Sequence, residues 1–232
     1  MPSSRRLPRS VQISEALIRE ISSGILTDGT RLPTEKHMAA TYDVAVGTLR
    51  KSLSILEAQG LLERVQGSGN YIRSKQEITS IYKFFRLELL KGGGLPSAKI
   101  LDIQTLRKEP NFPQFGNSKS AYRIDRLRFL DERLIALEQI WLDGRFAKDM
   151  HISDVSDSLY EYYKSALNLV MSRIEDKVSF QPVPEGSPPE FNMPRGAMAG
   201  YIERIAWDQF DQPAEFSKTW FNPNICHYVN RT

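Results

Sequence analysis

The sequence predicts an α+β chain, helical in its first third and built afterwards on an antiparallel sheet with flanking helices. Three observations carry this expectation. Apolar residues recur at helical spacing across residues 11–59, whereas from about Ile100 they alternate at strand spacing. Glycine and proline clusters punctuate the second part, including five prolines between residues 182 and 194 that exclude regular structure there. Charge is also uneven: residues 1–75 hold 11 Lys/Arg against 7 Asp/Glu, and the remainder holds 20 against 21. A basic front module and a near-neutral second one suggest that the first faces nucleic acid.

Composition narrows the class further. The 232 residues are 41% hydrophobic and 25% charged, ordinary for one large or two modest globular domains. No stretch approaches the roughly 18 apolar residues of a membrane span. The basic N-terminus leads into no apolar segment, so no secretory signal is expected. Cys226 is the single cysteine, which excludes an internal disulfide framework and favours a cytoplasmic home. His37, His151 and His227 show no metal-ligand spacing, so neither a metal nor a cofactor is expected. No nucleophile elbow or paired-acid motif points to hydrolysis.

The first helix is expected over Val11–Ile21, with Ser10 as N-cap and Gly24 as stop. Asp28-Gly29 marks a turn. Thr34 then caps a short helix from Glu35 to about Thr41, with Met38 and Ala39 inward. After Tyr42-Asp43-Val44, a third helix runs from Val46 to about Gln59, burying Leu49, Leu53 and Leu56 and stopping at Gly60. A short helix, a tight turn and a longer helix form a helix-turn-helix. Its outward residues Thr48, Arg50 and Lys51 stand where such motifs enter the major groove. L-L-E-R-V and N-Y-I-R around Q-G-S-G read as a hairpin, the wing, whose small tip residues permit close approach to a DNA backbone. Arg5, Arg6 and Arg9, ahead of the first helix, are either an arm on the DNA or a solvated tail.

Residues from about Val11 to Ile72 resemble the DNA-binding domain of the GntR family of bacterial transcription regulators. The resemblance rests on I-S-S-G-I-L-T-D-G-T-R-L-P-T-E, Y-D-V-A-V-G-T-L-R-K-S-L-S-I-L-E-A-Q-G-L-L and the G-S-G wing. It implies a winged helix-turn-helix that binds a palindromic operator as a homodimer. The family's basic position after the Pro-x-Glu turn falls on Lys36, its recognition-helix contacts on Thr48 and Arg50, and its wing-tip contact on Gln66 beside Gly67. The family's frequent Ser-Arg is here Ala45-Val46, so the guanine contact that an arginine would make is replaced by a side chain suited to a thymine methyl. The expected DNA-facing set is Lys36, Val46, Gly47, Thr48, Arg50, Lys51, Gln66, Gly67 and Ser68.

Beyond the wing, residues 81–90 show helical spacing at Ile81, Phe84, Phe85 and Leu89, closed by Gly92-Gly93-Gly94. Strands are expected at Ile100–Leu106, Ala121–Leu130, Leu134–Leu142, Gly200–Trp207 and Ala214–Phe221, and a helix over His151–Leu169 with Leu159, Tyr162, Tyr163, Ala166 and Leu167 inward. Trp141, Trp207 and Trp220 are expected in the core. Tyr122, Ile124, Arg126 and Arg128 share one strand face, and Leu134, Ala136, Glu138 and Ile140 one face of the next. A three-residue turn at 131–133 sets Arg126 opposite Glu138. A buried Arg–Glu pair adds little net stability, which favours a binding role over a purely structural one.

This second part is similar to the effector-binding UTRA domain of the HutC subfamily, whose fold is shared with chorismate lyase. The similarity rests on R-L-R-F-L-D-E-R-L-I-A-L-E-Q-I-W-L, L-Y-E-Y-Y and I-A-W-D-Q-F-D-Q-P-A-E-F-S. It implies an effector pocket at Arg126 and Glu138, joined by Glu215 and by Phe221 in place of the family's tyrosine. The family's phosphate region falls near Lys83, Arg86 and Lys91, with Arg86 taken as the effector contact. The effector is then a small anion: a sugar phosphate, a carboxylate or a phosphonate. The expected organisation is a DNA-binding domain at 8–74, a linker and candidate hinge at 75–81, and an effector-binding and dimerisation domain at 82–230. Two alternatives remain at this point: an enzyme of chorismate-lyase-like fold, and a DNA-binding protein whose second domain only dimerises.

Overall fold

The computed structural model describes residues 7–73 and 80–231. These group into two compact units. The first holds residues 7–86 with 93–95 and 229–231, and the second holds 87–92 and 96–228. The linker expected at 75–81 lies largely outside the described residues, as do Arg5 and Arg6.

In the first unit α1 (Arg9–Ser22), α2 (Glu35–Thr41) and α3 (Val46–Ala58) close on one core. Ile13, Leu17 and Ile18 of α1 meet Leu49, Leu53 and Leu56 of α3, all at most 2% exposed, with Met38 and Ala39 of α2 beneath them. The helix-turn-helix thus arises where three amphipathic stripes share one interior. Helix α1 begins earlier than expected: Arg9 is helical, and Pro8, not Ser10, holds the cap position with no side-chain cap. Pro8 accepts from the Val11 and Gln12 N–H groups through its carbonyl. Thr34 caps α2 as expected, its Oγ1 accepting from the His37 N–H at 3.3 Å. Asp43, with φ of 50°, takes the left-handed turn between α2 and α3. The wing is β1 (Leu62–Val65) paired antiparallel with β2 (Gly69–Ile72).

Residues 81–90 are not helical. A turn at 81–84 leads into β3 (Leu87–Leu89), which pairs with β10 (Cys226–Tyr228). Leu87, Glu88 and Leu89 are all buried, and this strand pairing with a distant segment overrides the local helical spacing.

The second unit is a six-stranded antiparallel sheet in the order β4-β5-β6-β9-β8-β7. Its strands are β4 (Pro96–Arg107), β5 (Ser120–Leu130), β6 (Arg133–Asp143), β7 (Arg173–Pro182), β8 (Met198–Trp207) and β9 (Pro213–Phe221). One face is apolar. Leu127, Leu137, Tyr201 and Trp220 pack there under Val183 and Phe191 from the proline-rich segment. Trp141 and Phe216 stack farther along, their ring centroids 5.5 Å apart. Trp207 is only half-buried, with the Arg173 guanidinium 3.8 Å from its ring centroid.

The β5–β6 turn differs from expectation. Asp131 and Glu132, both at positive φ, form a two-residue loop between Leu130 and Arg133. Arg128 faces Ala136 but Phe129 faces Leu134, so Ile135 is an extra residue in β6. This bulge restores the register in which Arg126 faces Glu138. It also turns Leu134 to the apolar face, where it packs against the Leu127 cluster.

The expected long helix is shorter as well. A 3-10 turn at Ile152–Asp154 precedes α4 (Leu159–Leu167), because the Ser156-Asp157-Ser158 run favours caps over helix interior. Ser158 caps α4, its Oγ accepting from the Glu161 N–H at 3.3 Å. Leu159, Tyr162 and Tyr163 are buried, whereas Ala166 is exposed and Leu167 half-buried.

Candidate nucleic-acid interface and effector site

The first unit presents the start of α3 and the wing tip to solvent. Lys36, Gly47, Arg50, Lys51, Gln66 and Gly67 are exposed, and Thr48 and Ser68 are half-buried. Val46 is half-buried against the core, so part of its surface serves packing. A hydrogen-bonded cluster that the sequence did not signal links α2, α3 and the wing. Glu35 accepts from Arg50 Nε at 2.7 Å, and its other oxygen lies 3.6 Å from Arg64 Nη1. Arg64 also donates to Glu57 at 2.8 Å and to Ser54 Oγ at 2.9 Å. Two carboxylates, Glu35 and Glu57, therefore brace the recognition helix against the wing.

In the second unit, the face opposite the apolar one is polar at its centre. Strand pairing alone defines it. Arg126 faces Glu138, which faces Thr219. Ile140 faces Ser217, then Arg204, then Asp176. Leu142 faces Glu215, and Ala136 faces Phe221, which faces Gly200. The structure thus brings Arg126, Glu138, Glu215 and Phe221 onto one face, as expected. Arg86 precedes β3 in the first unit, where its Nη1 donates to the Lys83 carbonyl at 2.9 Å. Lys91, on the second unit, lies 3.9 Å from Asp131.

The face is a set of buried charge pairs. Arg126 Nε donates to Glu138 Oε2 at 2.5 Å, and Arg128 Nε lies 3.9 Å from the same oxygen. Arg204 grips Asp176 with two hydrogen bonds of 2.6 and 2.7 Å, and Tyr228 Oη donates to Asp176 at 2.8 Å. From α4, Tyr160 and Tyr163 donate to the two oxygens of Glu215 at 3.1 and 2.8 Å. Arg126 Nη1 is buried and has no hydrogen-bond acceptor among the described residues.

Burial acts on Glu215, Glu138, Arg126 and the two phenols, and the balance against their partners differs from one to the next. Burial pushes the Glu215 carboxyl above the usual range, and Tyr163, Arg126 and Tyr160 offset it only in part. Burial would raise Glu138 too, but Arg126 and Arg128 outweigh it and hold the carboxyl low. Burial would lower Arg126, yet Glu138 holds its guanidinium charged. Burial and then the Glu215 charge push the Tyr160 and Tyr163 phenols well up. The face therefore holds a charged Arg126 guanidinium, a Glu138 carboxyl held low, and a Glu215 carboxyl held high and bound by two phenols.

Sequence reasoning missed Arg204, Asp176, Tyr160 and Tyr163. A signal existed for two groups. Arg204 shares strand parity with the buried Ile202 and Ala206, and Tyr160 and Tyr163 are three apart on one helix face. Asp176 shares parity with Ile174, Val178 and Phe180, but β7 is not among the expected strands, so its face was not read.

A winged helix-turn-helix joined to a sheet domain with a buried polar face defines a class, the DNA-binding transcription regulator. The chain belongs to the gntR family of bacterial regulatory proteins, matched over residues 9–72, and carries a UTRA domain, matched over residues 92–226. It is 47% identical to the HTH-type transcriptional regulator SmoD of Agrobacterium fabrum, over 97% of this chain and 96% of that protein. It is 23% identical to the HTH-type transcriptional repressor NagR of Bacillus subtilis, over 97% of this chain and 96% of that one. Among solved structures, Bacillus subtilis YydK has the same fold with a TM-score of 0.53 at 20% identity, covering 97% of this chain and all of that one. A ligand-binding domain from Bordetella bronchiseptica matches with a TM-score of 0.57 at 20% identity, over 65% of this chain and 98% of that one. The chain is a regulator rather than an enzyme, and none of its described helices is long and apolar enough to cross a membrane.

Proposed function

We propose that the chain is a cytoplasmic repressor that binds a palindromic operator as a homodimer and leaves it when a small anionic metabolite binds the second domain. The DNA-binding domain spans 8–74, with Lys36, Val46, Gly47, Thr48, Arg50, Lys51, Gln66, Gly67 and Ser68 at the interface. The effector domain spans 82–230, and Arg126, Glu138, Glu215 and Phe221 contact the effector. The observation that carries the effector reading is Arg126 Nη1, a buried charged donor with no acceptor among the described residues. Such a group is costly to leave unmet, and a carboxylate, phosphonate or sugar phosphate supplies paired oxygens in the geometry a guanidinium prefers. The similar NagR of Bacillus subtilis is a transcriptional repressor.

The test measures affinity for an operator selected from a random duplex library, with and without a panel of anionic metabolites. Operator affinity is expected to fall about 10³–10⁵-fold between 50 and 200 mM salt. A bound effector is expected to weaken it some 5–150-fold. Arg50→Ala should lose operator recognition while staying folded. Arg126→Ala should bind the operator and lose the response. A mutant that responds as the wild type does places the pocket elsewhere, and one that cannot bind DNA makes Arg126 structural.

A further inference from the structure

Arg31 lies outside the helix-turn-helix, and no motif singles it out. Its backbone extends the wing: the Gly29 and Leu32 N–H groups donate to the Ile72 and Asn70 carbonyls, and Ile72 donates to Thr30. Arg31 therefore sits opposite Tyr71 as a third strand's worth of pairing on β2. Its guanidinium then reaches the wing tip, where Nη2 donates to the Ser68 carbonyl at 2.5 Å. Gly69, at φ of 133°, passes beneath it, and a Cβ there would stand 3.2 Å from Arg31 Nε. Ser68 is held from the other side by Tyr71, hydroxyl to hydroxyl at 2.6 Å.

The charge of Arg31 is unmatched. Arg50, Arg64 and Arg73 each pair with a glutamate, but Arg31 makes no ion pair among the described residues. A guanidinium carries five N–H donors, and the Ser68 carbonyl takes one. The side chain is exposed and lines, with Thr34, Arg64, Gln66 and Asn70, the groove between the wing and the start of α2. With α3 in the major groove and the wing tip over the neighbouring minor groove, a sugar–phosphate backbone must run between them. The acid at that groove, Glu35, is already neutralised by Arg50 and Arg64.

We propose that Arg31 is a phosphate-contacting residue of the DNA interface, aimed by its bond to the wing tip. The proposal rests on the DNA-binding reading above, and the test separates the two. Because a phosphate contact ignores sequence, a mixed-sequence duplex of about 30 base pairs serves as the probe, titrated by fluorescence anisotropy across salt. Removing one phosphate contact should lower the slope of log affinity against log salt by about 0.9 per protomer. Arg31→Ala should show that loss with weaker binding, and Arg31→Lys should restore the slope. Arg31→Gln keeps a donor for the Ser68 carbonyl without the charge, so a lowered slope there separates phosphate contact from wing folding. Arg133→Ala, which removes an exposed charge from β6, should leave the slope unchanged. An unaltered slope in Arg31→Ala and Arg31→Gln overturns the proposal, whether or not affinity falls. A wild type that ignores the duplex overturns the DNA-binding reading itself.

Discussion

Tyr163 donates to Glu215 across 2.8 Å, tying helix α4 to strand β9 through an acid that is 3% exposed. Tyr163→Phe removes one of the two phenol donors on that acid. The expected cost is about 1–3 kcal/mol, because the acceptor stays buried when its donor goes. Urea unfolding followed by tryptophan fluorescence measures it, since Trp141, Trp207 and Trp220 all lie in the second unit.

Glu215 and Glu138 set opposite pH dependences. The folded Glu215 carboxyl titrates above its ordinary value of 4.5, so between that value and the raised one the folded chain holds a proton that the unfolded chain has released. Stability therefore falls as pH rises through that window. Glu138 is held below 4.5, so its contribution is present above 4.5 and is lost as pH falls through the lowered value. Glu215→Gln should flatten the decline above 4.5 and leave the acid limb in place. Unfolding midpoints measured across pH for both chains decide it, and an unchanged upper slope would mean that Glu215 is ionised in the folded chain.

Glu138→Ala strips the shared carboxylate from Arg126 and Arg128. Two buried guanidiniums then lose their compensation, and a loss of about 3–5 kcal/mol is expected. Arg126→Met combined with Glu138→Leu should recover only part of that stability, because Arg128 still loses the Glu138 carboxylate, while abolishing the effector response. Paired unfolding and operator-release measurements separate the energetic role of the pair from its binding role.

Gly200 is the space that the Phe221 ring occupies, since a Cβ at Gly200 would come within 2.2 Å of it. Gly200→Ala must move the ring, at about 1–3 kcal/mol for an overfilled site. Adding Phe221→Leu should relieve the strain. A double mutant no more stable than Gly200→Ala would show that the clash is absorbed by the backbone instead.

The N-terminal unit was legible because its signals are local. Leu49, Leu53 and Leu56 declare one helix face, Thr34 caps α2 where a side-chain oxygen can, and Gly60 stops α3 at φ of 68°. The pairing of Arg126 with Glu138 matches the expectation for a different reason: the expected three-residue turn is absent, and the two-residue loop together with the Ile135 bulge gives the same register. The two-residue turn and the Ile135 bulge were not legible, because a bulge is chosen by twist and packing rather than by alternation.

Residues 81–90 mark where sequence order failed. Their helical spacing is real, but β3 buries Leu87 and Leu89 by pairing with β10, a partner more than a hundred residues away. The same reason hides Arg204–Asp176 and the two tyrosines on Glu215. Each contact joins residues whose approach depends on the order of strands in the sheet or on where α4 lies against it. By itself the sequence determined the three helices of the first unit, most strands and which side chains share a face within a strand. Tertiary structure alone decided which faces meet, because the free energy of strand pairing and burial is realised only once distant segments are together.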